Sequence, residues 1–400
     1  MLSPASDRSD FAPLWELDPG ILFLNHGSFG ACPRHVLQFQ HDLRLRMERR
    51  PVAFLARECE HLLDDARVSL ADFVGAEPDD LAFVPNATHG VNTVLRSLLL
   101  RPGDRLLTTN HAYNACRNAL EFVARRAGAV VDVASLPFPV RSDDDLVHPI
   151  LELVRPTTRL ALLDHVTSPT ALVLPIARLV RELQARGVDT LVDGAHAPGM
   201  LPLDLRSLGA CWYTGNCHKW MCAPKGAAFL HTRRDKRSDT HPPVISHGDR
   251  CARTDRDAFR LEFDWTGTFD PTACLSVPEA IRFMGSLLPG GWPTLMARNR
   301  KLALHFRDTL CARLDVLPPA PDSLLGSMAA VPLPDDLRPA PDPAAPLDPV
   351  QELLLRRFSI EVPLIPLPDG PRAVRVSAQL YNAPSEAVRL ADALVSLRSA

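Results

Sequence analysis

The sequence predicts an α/β protein: a mostly parallel sheet covered by helices, followed by a smaller α+β unit. Three observations carry this. Short apolar runs alternate with amphipathic stretches between residues 81 and 231, the helical stretches are of crossover length, and proline becomes dense after about residue 317. The first strand is Leu81-Ala-Phe-Val, followed by a turn and a helix over residues 88–100. Arg105-Leu-Leu-Thr-Thr is the second strand, and residues 114–126 form a helix with Ala115, Ala119, Phe122 and Val123 on one face. Ala129-Val-Val-Asp-Val and Arg159-Leu-Ala-Leu-Leu-Asp continue the series, and a helix over residues 176–186 stops at Gly187. Asp189-Thr-Leu-Val-Asp, Ala210-Cys-Trp-Tyr-Thr and Ala227-Ala-Phe-Leu-His close it, with connections short enough to favour some antiparallel pairing. Further on come a helix over 296–314, a proline-dense segment over 317–349 that we expect as a surface excursion, and a helix over 351–358. A short strand near Val362, a strand over 373–377 and a helix over 385–397 complete the chain. We expect an N-terminal arm (1–24) packing on the small domain, a large domain (25–280) and a small C-terminal domain (281–400).

Composition excludes several classes. The 44 basic and 47 acidic residues leave a net charge of -3, which offers no general attraction to nucleic acid or an anionic membrane. The start of the chain has neither a basic region nor an apolar one of the secretory kind, and no apolar run reaches the length of a membrane span. Nine scattered cysteines without a CxxC pair fit reduced thiols, so we expect a cytoplasmic protein. No metal site is expected: Cys217, His218 and Cys222 have the wrong spacing for zinc. Gly27-Ser-Phe-Gly is not a nucleophile elbow, and no phosphate-binding P-loop occurs.

Three segments carry chemistry. Lys219, in Thr214-Gly-Asn-Cys-His-Lys-Trp, follows an apolar strand in a stretch free of acidic residues, the setting for an amine that loses its proton and forms a Schiff base. Asp193 ends an apolar strand, where open α/β sheets place ligand-binding groups. An aspartate that keeps a pyridine nitrogen protonated, paired with a Schiff-base lysine, is what a protein contributes to pyridoxal phosphate chemistry. Val84-Pro-Asn-Ala-Thr-His-Gly puts Thr88 at or near a helix N-terminus, suited to a phosphate, although a simple N-cap fits as well.

Taken together, Ala87-Thr88, Asp193 with His196, and His218-Lys219 stand in the chain order of a fold-type-I pyridoxal-phosphate enzyme. The sequence resembles the class V aminotransferase family, and within it the isopenicillin N epimerase-like branch. The resemblance rests on Leu24-Asn-His-Gly-Ser-Phe-Gly, Asn86-Ala-Thr-His-Gly-Val-Asn, Asp193-Gly-Ala-His, Gly215-Asn-Cys-His-Lys-Trp, Trp265-Thr-Gly-Thr-Phe-Asp and Arg375-Val-Ser-Ala-Gln-Leu-Tyr-Asn, which span residues 24–382. It implies a large domain with a seven-stranded type of sheet, pyridoxal 5'-phosphate as cofactor, an amino-acid substrate and a homodimer with shared active sites.

The resemblance also implies roles. Lys219 would carry the cofactor and move the Cα proton, Asp193 would pair with the pyridine nitrogen, and His196 would bond the ring oxygen with Ser168 near it. Ala87, Thr88, Asn216 and His218 would hold the phosphate, and Thr268 would reach the phosphate of a neighbouring subunit. His111 would stack on the cofactor face, with Tyr113 close enough to compete. Arg375 would take the substrate carboxylate, in line with the bidentate grip of a guanidinium. Asn25 and His26 would line the substrate entrance, unless that motif is a plain turn into a helix. A cysteine desulfurase needs a thiol in a loop of the C-terminal domain, and no cysteine follows Cys311. Epimerisation, β-elimination by a C–S lyase and transamination stay open, as does a non-catalytic binding scaffold of the same fold. For epimerisation, His111, Tyr113 and the His26 region are candidates for the proton donor on the second face.

Overall fold

The computed structural model describes residues 8–337, 347–367 and 372–398. Seven strands build the central sheet: β1 (Leu81–Val84), β2 (Arg105–Thr109), β3 (Val130–Ala134), β4 (Thr158–Asp164), β5 (Asp189–Asp193), β6 (Trp212–Asn216) and β7 (Ala228–Thr232). Their spatial order is β1-β7-β6-β5-β4-β2-β3. Strands β2 to β6 are parallel, whereas β7 runs antiparallel to both β6 and β1. Strands β6 and β7 are buried at every position, because helices cover both faces, while β3 lies at an edge and is half-exposed.

The helices follow from the spacing of their apolar residues. Ile176–Gln184 buries Ile176, Leu179, Val180 and Leu183, one stripe at helical period. Ala87–Ser97 is capped by the Asn86 side chain, which accepts from the His89 N–H at 2.8 Å. This helix sits so close to β6 that a Cβ on Gly90 would meet Thr214 Oγ1 at 2.2 Å. Helix Gly291–Leu314 begins earlier than the pattern suggests, because Pro293 falls in its first turn, where no N–H is needed.

The C-terminal sheet holds β8 (Met328–Pro332), β9 (Leu364–Pro366) and β10 (Arg372–Ser377), antiparallel in the order β9-β10-β8. Strand β8 corrects an expectation. It lies inside the proline-dense segment, yet four of its five residues are buried, because its Ala-Ala-Val packs under Gly291–Leu314 and its one proline, Pro332, comes last in the strand, opposite Ala373. The rest of that segment, 338–346, lies outside the described residues. Leu22–Phe23 pairs in parallel with Ile360–Glu361, and Trp15 is buried against Leu380 and Tyr381. Among the described residues no helix is long and apolar enough to cross a membrane.

Candidate active site

The carboxyl ends of β4, β5 and β6 open into a cavity of about 440 Å³. Asp164 and Asp193 end β4 and β5 and face each other in the ladder register. Both are almost wholly buried. Asp193 is well supplied with donors: the Cys116 thiol reaches Oδ2 at 3.1 Å and the Ala195 N–H reaches Oδ1 at 3.0 Å. Asp164 accepts only the Tyr113 N–H, at 3.2 Å, and its Oδ1 has no partner among the described residues. Burial pushes both carboxyls up, and repulsion from Asp193 pushes Asp164 further. The donors on Asp193 and their absence on Asp164 Oδ1 favour the charge of the pair on Asp193.

Lys219 lies just past β6, in the turn that β6 and β7 form as an antiparallel pair. Burial, then the charge of Arg375, lowers its ammonium to about 8 against the pull of Asp193. Its Nζ is 3.1 Å from His196 Nε2, and the Trp220 Nε1–H points at His196 Nδ1 from 3.5 Å. An indole only donates, so when Lys219 is a free amine that can accept, neutral His196 carries its hydrogen on Nε2; toward the ammonium that nitrogen must accept instead. Burial pushes that imidazole well below its usual value.

Arg375 comes from β10 and is buried. Its Nη1 donates to the Ser168 carbonyl and, at 3.1 Å, to Ser168 Oγ; its Nη2 donates to Ser28 Oγ at 2.6 Å. Its Nε has no partner among the described residues. Burial brings the guanidinium down to about 10, so it stays charged at neutral pH. Opposite the carboxylates, the Ala87 N–H donates to Asn216 Oδ1 at 2.8 Å, and Thr88 lines the cavity one residue into the helix. His218 Nδ1 donates to the Ala227 carbonyl at 2.9 Å, which leaves Nε2 for a ligand; burial lowers this imidazole to about 4.

Ala87, Thr88, Ser168, Asp193, His196, Asn216, His218 and Lys219 thus line one cavity. Ser168 differs in partner, since it accepts from Arg375. Arg375 reaches this cavity through Ser28 and Ser168, which line it, and four residues fall elsewhere. His111 is buried with Nδ1 3.0 Å from Thr170 Oγ1, so its ring turns away, and it is Tyr113, half-exposed, that lines the cavity. This corrects the preference for His111, and the reason is that the loop after β2 folds its histidine inward. His26 and Asn25 do not line the entrance: His26 is fully buried against the Lys219 carbonyl, and Asn25 is buried beside it in sequence. Thr268 is exposed and outside this chain's cavity. Asp164, Cys116 and Ser28 were missed. Asp164 carries the signal that revealed Asp193, a carboxylate closing an apolar strand; Cys116 and Ser28 have none.

A larger groove, about 750 Å³, opens between residues 12–23 and the C-terminal helix, but it lacks such a set of converging groups. The smaller cavity offers an amine poised to lose its proton, a buried carboxylate, a helix N-terminus with a threonine and, bonded to its Ser28 and Ser168, a guanidinium without a counterion. That donor set fits pyridoxal phosphate. It also fits an amino-acid carboxylate, and together with the fold it defines a pyridoxal-phosphate-dependent enzyme.

Comparisons agree. The family described as Aminotransferase class-V matches residues 36–313. The isopenicillin N epimerase of Amycolatopsis lactamdurans is 39% identical over 395 residues, covering 95% of this chain and 96% of that one. A probable chloroplastic L-cysteine desulfhydrase of Arabidopsis thaliana is 32% identical over 407 residues, covering 95% and 83%. Among solved structures, a mutant of C-DES with glycine covalently linked to its PLP cofactor shares the fold, with a TM-score of 0.76, 20% identity and coverage of 94% and 97%. The chain belongs to the class V aminotransferase family.

Proposed function

We propose that the protein acts at the Cα of an amino acid, with Lys219 as attachment residue and proton carrier, and that it is an epimerase of the isopenicillin N epimerase type. Pyridoxal phosphate, when bound, supplies an electron sink for the charge left at Cα. The rest falls to this chain. Asp193, whose negative charge the Cys116 thiol and the Ala195 N–H favour against burial, would hold a proton on the ring nitrogen. His196 would offer its Nε2 hydrogen to the ring oxygen, and Ala87, Thr88, Asn216 and His218 would line the phosphate end, where the Thr88 hydroxyl and the Asn216 amide N–H are the donors and His218 donates only when protonated. Arg375 would hold the substrate carboxylate, and Lys219 would take the Cα proton. One observation carries the reading: Lys219 lines the cavity, Arg375 is bonded to the Ser28 and Ser168 that line it too, and neither buried cation has an acidic partner in hydrogen-bond contact among the described residues.

Epimerisation also needs a donor on the far face, and of the candidates only Tyr113 lines the cavity. The second reading is β-elimination from a cysteine derivative, favoured by the relative of 32% identity whose printed name is a desulfhydrase. Both start with loss of the Cα proton. In this proposal the protein is a cytoplasmic homodimer, residues 25–280 bind the cofactor and residues 281–400 bring Arg375. Thr268, exposed beside the exposed Phe269, serves the partner's phosphate, and Phe29, 78% exposed at the cavity mouth, is covered by that partner.

The test uses purified protein loaded with pyridoxal phosphate. A visible absorbance band is expected in the wild type and not in Lys219→Ala. Incubation with a chiral amino-acid panel and with cystine in heavy water then separates the reactions. Cα deuteration with loss of optical purity supports epimerisation, pyruvate with released sulfur supports elimination, and a wild type without the band sinks both.

A further inference from the structure

Residues 25–30 run between the two ends of the site, and their contacts reach both. The Leu24 carbonyl accepts from the Ser377 N–H and the Gly27 N–H donates to Ser377 Oγ, each at 3.0 Å, which fastens the segment to β10. Ser28 Oγ receives Arg375 Nη2. At the other end, a Cβ on Gly30 would lie 3.0 Å from Lys219 Cα and 2.9 Å from the His218 carbonyl oxygen. The segment therefore presses its backbone onto the lysine's own peptide. Between these points sits His26, with Nε2 3.0 Å from the Lys219 carbonyl oxygen and Nδ1 2.8 Å from Tyr381 Oη.

Those two contacts fix the imidazole. A carbonyl oxygen only accepts, so Nε2 carries the hydrogen, and a neutral ring then uses Nδ1 to accept from the Tyr381 hydroxyl. Burial pushes His26 down to about 3 and the Tyr381 phenol well up, so neither changes charge near neutral pH. Trp220 packs on the ring at a centroid distance of 4.9 Å. A buried side chain with two polar atoms costs more to fold than a hydrocarbon of its size unless both are bonded; here Nδ1 meets the tyrosine and Nε2 the peptide, with Gln379 Nε2 at 3.4 Å and Cys222 Sγ at 3.8 Å from that same nitrogen as longer contacts. His26 lies outside the cavity lining and does not contact the lysine amine; what it holds is the lysine's main chain.

We propose that His26 is a positioning residue for the cofactor lysine: backed by Tyr381, it fixes the Lys219 peptide, and residues 25–30 thereby set the span between the Lys219 amine and the Arg375 guanidinium. The inference rests on the reading of Lys219 as attachment residue. Its consequence is geometric, because displacing a reacting group by about 1 Å costs on the order of 10²-fold in rate.

Wild type, His26→Leu, His26→Gln and Tyr381→Phe, each loaded with pyridoxal phosphate, are compared by the pH midpoint of the visible band, by kcat and KM on a turned-over amino acid, and by Tm. Leucine keeps bulk without the N–H; glutamine keeps an N–H that can reach the carbonyl. The expected result for His26→Leu is a midpoint moved by about one pH unit and kcat lower by roughly 10–100-fold, with KM within about threefold. His26→Gln is expected to return most of both, and Tyr381→Phe to fall between. A lowered Tm with midpoint and kcat unchanged would mean packing alone and overturns the proposal. If His26→Leu does not fold, the same criteria apply to Tyr381→Phe, where a wild-type midpoint and kcat overturn it. The attachment reading fails separately, through a wild type without the band or a Lys219→Ala protein that keeps it.

Discussion

Two regions bury charge, and they do it in opposite ways. Beneath helix Cys59–Val74, Arg67 binds Asp64 (2.8 Å) and Asp264, and Arg260 binds Asp64, Asp79 (2.9 Å) and Asp264 (3.3 Å), while Arg256 reaches Asp64 at 2.6 Å. Burial pushes the Asp64 carboxyl up, but hydrogen bonding from Arg256 and the charges of Arg260, Arg256 and Arg67 outweigh it and leave it at about 2. At the cavity, Lys219 and Arg375 meet only neutral side chains and carbonyls, and Asp193 meets a thiol and a peptide. The first region satisfies its charges internally and contributes to the fold. The second holds them apart, so that a ligand completes the pairing. Separation from a counterion, more than burial itself, distinguishes a site from a structural network.

The sharpest way to break this contrast is to neutralise one charge in each region. Asp193→Asn is expected to lower kcat by roughly 10²–10³-fold with little loss of Tm, since it removes an anion that matters only with the cofactor present. Arg67→Ala is expected to do the reverse: about 3–5 kcal/mol less stability in urea unfolding, because Asp264 and Asp64 lose a buried partner, with kcat of the folded fraction unchanged. Equal damage to stability from both substitutions would erase the distinction. Smaller in effect is Arg375→Lys, which keeps the charge and loses the fork; KM for the amino acid should rise by roughly 10–100-fold, more than kcat falls. The mildest test is by pH. Lys219 titrates near 8 in the fold against 10.5 for an ordinary lysine, so its free-amine fraction grows as pH rises through about 8. The rate at which the apoprotein takes up pyridoxal phosphate should follow that curve and level off above it. By linkage, apoprotein stability should rise between about pH 8 and 10.5, where the unfolded chain binds the extra proton. A rate still climbing past pH 10 would show a solvated lysine.

Much of this was legible in the chain. Strands β1, β2 and β5 coincide with the apolar runs that announce them, and the end of β5 pointed to Asp193, because hydrophobic period and strand-end polarity are local properties. Long-range pairing is not local. The burial of β8 in a proline-rich stretch depends on β10, about 45 residues later, and on a helix that precedes it. Likewise His26 looked like an entrance residue because motif membership says that a residue matters near a site, not which side of the lysine it occupies. His111 and Tyr113 stand two residues apart in one loop, and only the turn of the backbone decides which ring meets the cavity.

The join between Leu22–Phe23 and Ile360–Glu361, with Ser28 on Arg375, has a bearing on biogenesis. A ribosome delivers the first of these strands some 340 residues before the second, so the cleft stays unfinished until residue 375 has been made. Nascent protein can fold its large sheet early, but a chain cut short before residue 375 carries buried Lys219 without the second buried cation, Arg375.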